Sequence, residues 1–150
     1  MKVHTSLILG LLAISACSRS APEQQTMSMS AAPWTISYHD GSGNGFRFWH
    51  EEGVTQFEYS PITPEISSSG IYDGGAAKMG KLDHPIAAGL WQRVEELQGA
   101  TSKHIEAREM GTGAFTITTT KGEKSFIMVN GPLLEGFNSY IEPLRGNQSG

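Results

Sequence analysis

The chain has 150 residues, with 11 lysines and arginines against 15 aspartates and glutamates, a formal net charge of −4 and a single cysteine. These figures exclude a multidomain protein, a disulfide-stapled scaffold and a basic nucleic-acid-binding protein. A chain of this size can bury roughly two-thirds of the surface that it exposes when unfolded, so we expect one domain with a real core.

The first 17 residues are typical of a secretory leader. Lys2 provides a positive start, and residues 7–14 form an apolar run that is shorter than the roughly 20 residues of a membrane-spanning helix. The run continues into Ile14-Ser15-Ala16-Cys17, which resembles the lipobox of bacterial lipoproteins, an aliphatic residue and two small residues before cysteine. The resemblance implies transfer of a diacylglyceryl group to the Cys17 thiol, cleavage before Cys17 and acylation of the new amino terminus.

The resemblance also bears on location. Two or more acyl chains hold a protein stably on a bilayer, whereas one chain does so only marginally. Ser18 stands where an aspartate would retain such a protein at the inner membrane, so the outer membrane is favoured in a Gram-negative cell. Without residues 1–17, 10 basic and 15 acidic residues leave a net charge of −5, which argues against nucleic acid or anionic headgroups as partners. We therefore expect membrane contact through lipid; the alternative is an ordinary secreted protein.

The remaining chain divides by composition. Residues 18–33 are rich in serine, alanine, glutamine and proline and contain no aromatic residue, which predicts a flexible tether. Periodic apolar residues begin at Trp34 and continue to the last predicted helix, so we place a single domain at residues 34–145. Residues 146–150 are predicted to be a disordered tail.

Seven short segments are predicted to be strands; residues 34–39 and 54–60 alternate apolar and polar residues as half-buried strands do, and the others are short apolar or extended runs next to turns. The seven segments are residues 34–39, 46–50, 54–60, 71–72, 79–82, 113–119 and 125–129. Glycine-rich turns separate several of them, and we expect residues 71–72 and 79–82 to form a hairpin across Asp73-Gly74-Gly75. Residues 100–112 show no assignable pattern.

Two segments have helical spacing. The first follows the predicted N-cap Asp83 and stops at Gly99, and the second follows Gly131. Their predicted inward residues are Ile86, Leu90, Val94 and Leu97, then Leu133, Phe137, Ile141 and Leu144, with Gln92, Arg93, Glu95 and Glu96 on the outer side of the first helix. Consecutive hairpins require antiparallel pairing, and one-sided helices must cover a sheet. The predicted fold class is α+β, an antiparallel sheet of about five to seven short strands with two helices packed on one face.

One segment has the oxygen-ligand spacing of a calcium loop. Asp40, Ser42 and Asn44 precede a turn glycine, and Glu51 follows where a bidentate acid would stand. This spacing resembles that of the EF-hand loop. The flanking residues, however, alternate between apolar and polar as in strands, and Arg47 occupies a position where that family has an aliphatic residue. The alternative is a glycine-rich hairpin turn in which Asp and Asn favour the turn conformation.

The histidines offer a second metal hypothesis. His39 and His50 lie on the two strands of the first predicted hairpin, where Glu51 or Glu52 could complete a site. The alternative is that they are exposed strand histidines, because no established zinc spacing is present. No nucleophile motif and no dinucleotide fingerprint is present, so we predict no catalytic residue and no cofactor.

Aromatic residues crowd the first three predicted strands, and core packing explains most of them. Strand alternation places Trp49 on the opposite face from Phe46 and Phe48. Arg47 lies on the same face as Trp49, so these two residues form a candidate contact patch on the surface.

Three hypotheses of function follow. The first is a binding module of the cell envelope with an envelope protein as its partner, since catalytic motifs are missing and aromatic strands and glycine-rich turns are present. The second is a protease inhibitor: the hairpin-helix-hairpin-helix order and Ser69-Gly70 with Gly74-Gly75 resemble the emfourin inhibitors of bacterial metalloproteases. That resemblance extends over half the domain and carries over no contact residue. The third is an enzyme with an unfamiliar metal site at His39 and His50.

Overall fold

The structure, a computed structural model, describes residues 32–145. The predicted leader with Cys17, nearly all of the predicted tether and the predicted tail lie outside these residues. Within residues 32–145, seven strands form one sheet in the order β4-β3-β2-β1-β6-β7-β5, with every neighbouring pair antiparallel. The strands are β1 (Trp34–His39), β2 (Gly45–Glu51), β3 (Val54–Ser60), β4 (Lys78–Leu82), β5 (His104–Ile105), β6 (Gly113–Thr119) and β7 (Gly122–Met128).

Two helices, α1 (His84–Gly99) and α2 (Pro132–Ile141), pack on one face of this sheet. The predicted α+β class is therefore confirmed. The helices bury Ala87, Leu90, Val94 and Leu97 of α1 and Leu134, Phe137 and Ile141 of α2. Among residues 32–145, neither helix combines the length and the apolar character needed to cross a membrane.

Strand alternation builds the core. On β1, Ile36 and Tyr38 are buried, whereas Thr35 and Ser37 lie on the opposite, half-exposed face of the sheet. Tyr38 is at the centre of an aromatic cluster with ring centroids 4.6 Å from Phe115 and 5.0 Å from Phe137. Such offset and edge-on pairs contribute about 0.5–1.5 kcal/mol each beyond their buried area. The cluster fastens α2 to the middle of the sheet.

The predicted hairpin of residues 71–72 with 79–82 is wrong. Residues 78–82 form β4, which pairs with β3 from Tyr59↔Lys78 to Thr55↔Leu82. Residues 71–72 belong to no strand, because the segment 61–77 folds back on the first hairpin turn instead. The backbone N–H of Gly74 donates to the carbonyl of Ile62 there. Five-residue pairing with β3 satisfies more backbone groups than a two-residue hairpin could.

The inward faces of the helices differ from prediction in part. Ile86 is exposed and Ala87 takes its place, so the buried stripe of α1 begins one residue later. On α2, Leu134 is buried and Leu133 is exposed. Glu95, predicted to face water, is half-buried. The unassigned segment 100–112 contains a 3-10 turn, the two-residue strand β5 and a loop.

The strands run between two ends of the sheet. At the loop end lie the β1–β2 turn (40–44), the β3–β4 segment (61–77) and the β5–β6 loop (106–112). At the entry end lie the start of β1, where the chain enters the domain, and the β6–β7 turn (120–121), since Trp34 pairs with both His50 and Thr119. The candidate site is at the loop end.

Candidate binding surface at the loop end

Asp40, the first residue after β1, organises the loop end. Its Oδ1 accepts hydrogen bonds from the backbone N–H groups of Ser42 and Asn44, both at 2.9 Å. Its Oδ2 accepts from Asn44 Nδ2 and from Arg145 Nη2, again at 2.9 Å. Four donors thus engage the two oxygens of a buried carboxylate, which is the arrangement that makes such burial tolerable.

Asn44 ties the turn to the β3–β4 segment. Its Oδ1 accepts the backbone N–H of Ile62 at 2.9 Å, and its Nδ2 donates to the hydroxyl of Tyr72 at 2.8 Å. Asn44 and Gly74 pack closely, since a Cβ added to Gly74 would lie 2.2 Å from Asn44 Oδ1. The amide is completely buried, so these bonds hold the segment against the turn.

Arg145 closes the network from the end of the domain. Besides Asp40, its guanidinium donates to Tyr59 Oη at 3.2 Å and to Glu142 Oε2 at 2.9 Å, and it lies 5.2 Å from the centroid of the Phe46 ring. Burial alone would lower the pKa of Arg145, but its hydrogen bonds to Asp40 and Tyr59 raise that pKa above its ordinary value. The cation is therefore a fixed part of the site.

The β5–β6 loop is attached to the same network. Arg108 Nη2 donates to the backbone carbonyl of Asp40 at 2.5 Å, and Thr112 Oγ1 donates to the carbonyl of Glu109 at 2.7 Å. The backbones touch as well, because a Cβ on Gly41 would lie 2.7 Å from the Gly111 backbone. All three loops of this end are held by buried polar groups and close backbone contact.

Several apolar side chains of these loops are exposed to solvent. Ile66 is 66 %, Ile71 84 % and Met110 97 % exposed, and Tyr72 is 36 % exposed. We call Ile66, Ile71, Tyr72 and Met110 the loop-end surface. Exposed apolar residues that are held in place, instead of being scattered, are typical of protein interaction sites.

The residues of the predicted calcium loop come together only in part. Asp40 and Asn44 meet at the loop end, and the exposed Ser42 contributes its backbone N–H to them. Glu51 is at the other end of β2, roughly 20 Å away along a seven-residue strand. Within residues 32–145 no group of three or more histidine, cysteine, aspartate or glutamate side chains could hold a metal ion.

The two histidines of the second metal hypothesis are also apart. His39 is exposed at the loop end, where it pairs with Gly45. His50 is buried at the entry end, with its Nδ1 2.8 Å from Thr55 Oγ1 and its ring stacked on Trp34 at 5.8 Å. The turn that holds Glu52 follows β2 at the entry end and does not bring His39 closer.

The predicted patch of Arg47 and Trp49 lies on the outer face of the sheet, opposite the helices. Phe46 and Phe48 are buried, while Arg47 is exposed and Trp49 is half-buried. The Arg47 guanidinium lies 5.2 Å from the centroid of the Trp49 ring, a cation–π arrangement. The two side chains thus adjoin on an open face, and their role in contact stays a prediction.

Sequence reasoning missed the residues that organise the loop end. Arg145 stands at the boundary of a polar tail, and Arg108 lies in a segment without periodicity, so neither showed a signal of its own. Their function depends on Asp40, to which they are joined only by the fold. Asp40 itself was singled out, but for its oxygen ligands instead of its position as a buried acceptor.

The sequence matches no protein-family model, and neither a curated protein nor a solved structure matches the chain.

Proposed function

We propose that this chain is a lipid-anchored protein of the cell envelope that binds an envelope protein through its loop-end surface. One observation carries the binding proposal: the apolar side chains of Ile66, Ile71 and Met110 are exposed to solvent on loops that are joined by partly buried hydrogen bonds. Ordered loops lose little conformational freedom when they bind, so exposed apolar area on them is well suited to a partner.

The position of the anchor supports this choice of surface. Cys17, the proposed lipidation site, precedes Trp34, where the chain enters β1. β1 then runs for six residues, about 20 Å, to the loop end. The loop end is therefore at the opposite end of the sheet from Trp34, where the chain that follows Cys17 enters the domain.

The charges around the surface narrow the class of partner. Glu65, Asp73, Glu106 and Glu109 are exposed on the loops that carry it, whereas Arg108 on the same loops is engaged with Asp40. An apolar centre with an acidic rim fits a partner with an apolar depression surrounded by lysine and arginine. The partner class that we propose is a protein with such a basic-rimmed apolar surface.

Photo-crosslinking tests the surface. A photoreactive residue at Ile71 or at Met110 should capture the same envelope protein in intact cells. The matched control is Met79, which is 69 % exposed on the edge strand β4 and lies outside the loop-end surface. Ile71→Asp should abolish capture from Met110, and Met79→Asp should leave it unchanged. Equal capture from all three positions would contradict the proposal.

The anchor is tested separately. Cys17→Ser should leave the chain without acyl groups and block cleavage before residue 17, because the thiol that accepts the lipid is missing; unchanged processing in this variant would contradict the anchor. Mass spectrometry of the native chain should find acyl groups on Cys17. An unmodified amino terminus beyond residue 17 would contradict the lipid anchor. The loop-end surface would still be tested by the crosslinking experiment.

The same observation supports a second candidate, a metalloprotease inhibitor. An inhibitor needs an exposed loop that does not deform in a protease cleft, and Ile71 and Met110 stand on loops of this kind. Mixing the chain with a thermolysin-type protease should then inhibit it at micromolar concentration, and Ile71→Asp should weaken inhibition at least about tenfold if a buried contact is lost. Full protease activity in the mixture would exclude this candidate but not the binding module.

A further inference from the structure

The edge of the sheet formed by β7 is open over most of its length. Strand β7 pairs with β6 along its whole length, whereas on its other side β5 covers only Ile127 and Met128. Among residues 32–145, no strand pairs with that side of Gly122–Phe126, and the first four of these five residues are exposed. Every second residue of an antiparallel strand directs its N–H and C=O away from its neighbour, so about two or three residues here have free backbone groups. An edge of this kind can accept a further strand.

A cavity of about 250 Å³ adjoins this open edge. Its lining includes the half-buried Trp91 of α1, the buried Ile117 of β6, and Gly122 and Lys124 of β7. Because Gly122 has no side chain, it lines the cavity with its main chain, which places the cavity against the backbone of β7. A strand added beside Gly122 would therefore have room for an apolar side chain between β7 and α1.

The exposed charges that line the cavity on the helix side of the sheet are basic. Lys124 is paired with Ile117, so its side chain lies on the face that the helices cover. Lys121, in the β6–β7 turn, also lines the cavity, and in the part of the chain that the structure describes neither ammonium group forms an ion pair. Of the two acids in the lining, Glu95 is half-buried and Glu123 is on the outer face, where it accepts a hydrogen bond from a threonine of β6. A ligand at this edge therefore meets exposed cations, which favour an acidic group.

We propose that the open edge of β7 binds an extended acidic peptide as an additional strand. The peptide pairs antiparallel to Gly122–Phe126, as every strand of this sheet pairs with its neighbours. Its residue opposite Gly122 is large and apolar and places its side chain in the cavity beside Trp91. The residue two positions earlier in the peptide is opposite Lys124, and an aspartate or glutamate there forms a cross-strand ion pair. In this mode of recognition main-chain hydrogen bonds supply affinity and pockets for alternate side chains supply specificity.

Four peptides with blocked ends separate these contributions. Acetyl-Thr-Glu-Thr-Phe-Thr-amide carries the acid, the apolar residue and free backbone amides; three analogues have serine for phenylalanine, lysine for glutamate, or N-methyl groups on every backbone amide. We expect the first peptide to bind the full chain at least about tenfold tighter than the serine and N-methylated analogues, and about fivefold tighter than the lysine analogue. The readout is the backbone amide NMR signals of Gly122–Phe126. Alternate amides of this stretch should exchange with solvent quickly in the free chain and more slowly with the peptide bound.

Lys124→Glu provides the matched variant, since this side chain is exposed and makes no ion pair within residues 32–145. The variant should bind the lysine peptide about fivefold tighter than the glutamate peptide, a reversal of the preference. Lys81→Glu makes the same change on β4, at the other edge of the sheet, and should leave the preference unchanged. The NMR spectrum of each variant reports whether it is folded, and the ranking of peptides with the unmodified chain requires no variant.

Four results would overturn the proposal. They are no shift of the Gly122–Phe126 signals at millimolar peptide, equal binding of the N-methylated analogue, a charge preference that survives Lys124→Glu, and slow exchange of all amides of this stretch without peptide. The last result would mean that another segment of this chain or a second copy already covers the edge. The peptide site is independent of the loop-end surface and of the proposed lipid anchor, so its failure would leave both of those proposals as they are.

Discussion

The two ends of the sheet differ in whether their buried polar atoms are hydrogen-bonded. At the loop end, Asp40 accepts four hydrogen bonds and Asn44 bonds to Ile62 and Tyr72 as well. At the entry end, within residues 32–145, Trp34 Nε1 and Glu95 Oε1 have no partner. A saturated network fixes a conformation, because removing any member leaves another unpaired. Unpaired buried atoms add no such bond, so the entry end lacks the hydrogen-bonded cross-links of the loop end.

The largest expected effect comes from weakening the saturated network. Asp40→Asn removes the charge that compensates Arg145 and replaces one acceptor oxygen by an amide nitrogen, which donates and cannot accept. Breaking a buried ion pair costs about 3–5 kcal/mol, and because the Arg145 side chain is 20 % exposed we expect about 2–3 kcal/mol of lost unfolding free energy. Urea denaturation measures this change.

Glu142 supplies the control, since it bonds to the same guanidinium from a side chain that is 66 % exposed. Glu142→Gln should cost less than about 0.5 kcal/mol, as exposed ion pairs do. If the two variants lost the same stability, Asp40 would not organise the loop end, and the contrast between the ends would disappear.

A steric change at the loop end ranks next. Gly41→Ala places a Cβ 2.7 Å from the Gly111 backbone, which cannot rotate away as a side chain would. Overpacking of this kind costs about 1–3 kcal/mol. Gly99→Ala, at the end of α1, meets no atom within 4 Å and should be neutral or stabilising by up to about 1 kcal/mol. Thermal unfolding of both variants checks the difference, and similar melting temperatures would show that the two loops are not held in contact.

The fold was largely predictable because period-two alternation and helical spacing are local signals. Residues 34–39 and 54–60 match their strands, and Leu90, Val94 and Leu97 are buried as expected. The pairing of β4 was not predictable in this way, since Asp73-Gly74-Gly75 suggested a local hairpin. That decision depends on the free edge of β3, a long-range feature that no local pattern contains.

The candidate sites were much less predictable, because their residues come from distant parts of the chain. Asp40 and Arg145 are 105 positions apart, and Glu95 was assigned to the outer side of α1 by spacing alone. Spacing gives the angle of a side chain around its own helix. Whether a side chain at that angle faces solvent or the start of β1 depends on how the helix lies on the sheet.

Alkaline pH should weaken the loop end. Burial raises the pKa of Tyr38 and of Tyr59. The Tyr38 hydroxyl donates to Asn138, whereas the Tyr59 hydroxyl donates to the Gly74 carbonyl and accepts from Arg145. A pKa raised in the folded state means that the stabilisation is complete below the unfolded value near 10 and is lost as pH rises toward the folded value. Each tyrosine then lowers stability by up to about 1.4 kcal/mol per pH unit.

Urea denaturation from about pH 9 to 11 gives this slope. Tyr38→Phe should reduce it by the contribution of one proton, because the Phe ring keeps the packing against Phe115 and Phe137 and has no proton to lose. A slope that is the same in Tyr38→Phe and in the unmodified chain would mean that other groups cause the loss of stability.

The smallest expected effect has the opposite sign from the largest. Glu95→Gln makes the same acid-to-amide change as Asp40→Asn, but at a carboxylate with an unpartnered buried oxygen. Since the buried Oε1 has no partner that the variant could lose, the variant should keep or gain stability, by up to about 1 kcal/mol. Urea denaturation beside Glu96→Gln, which should change nothing measurable, provides the check. A loss as large as that of Asp40→Asn would show that Glu95 is paired in solution, and the contrast between the two ends of the sheet would then disappear.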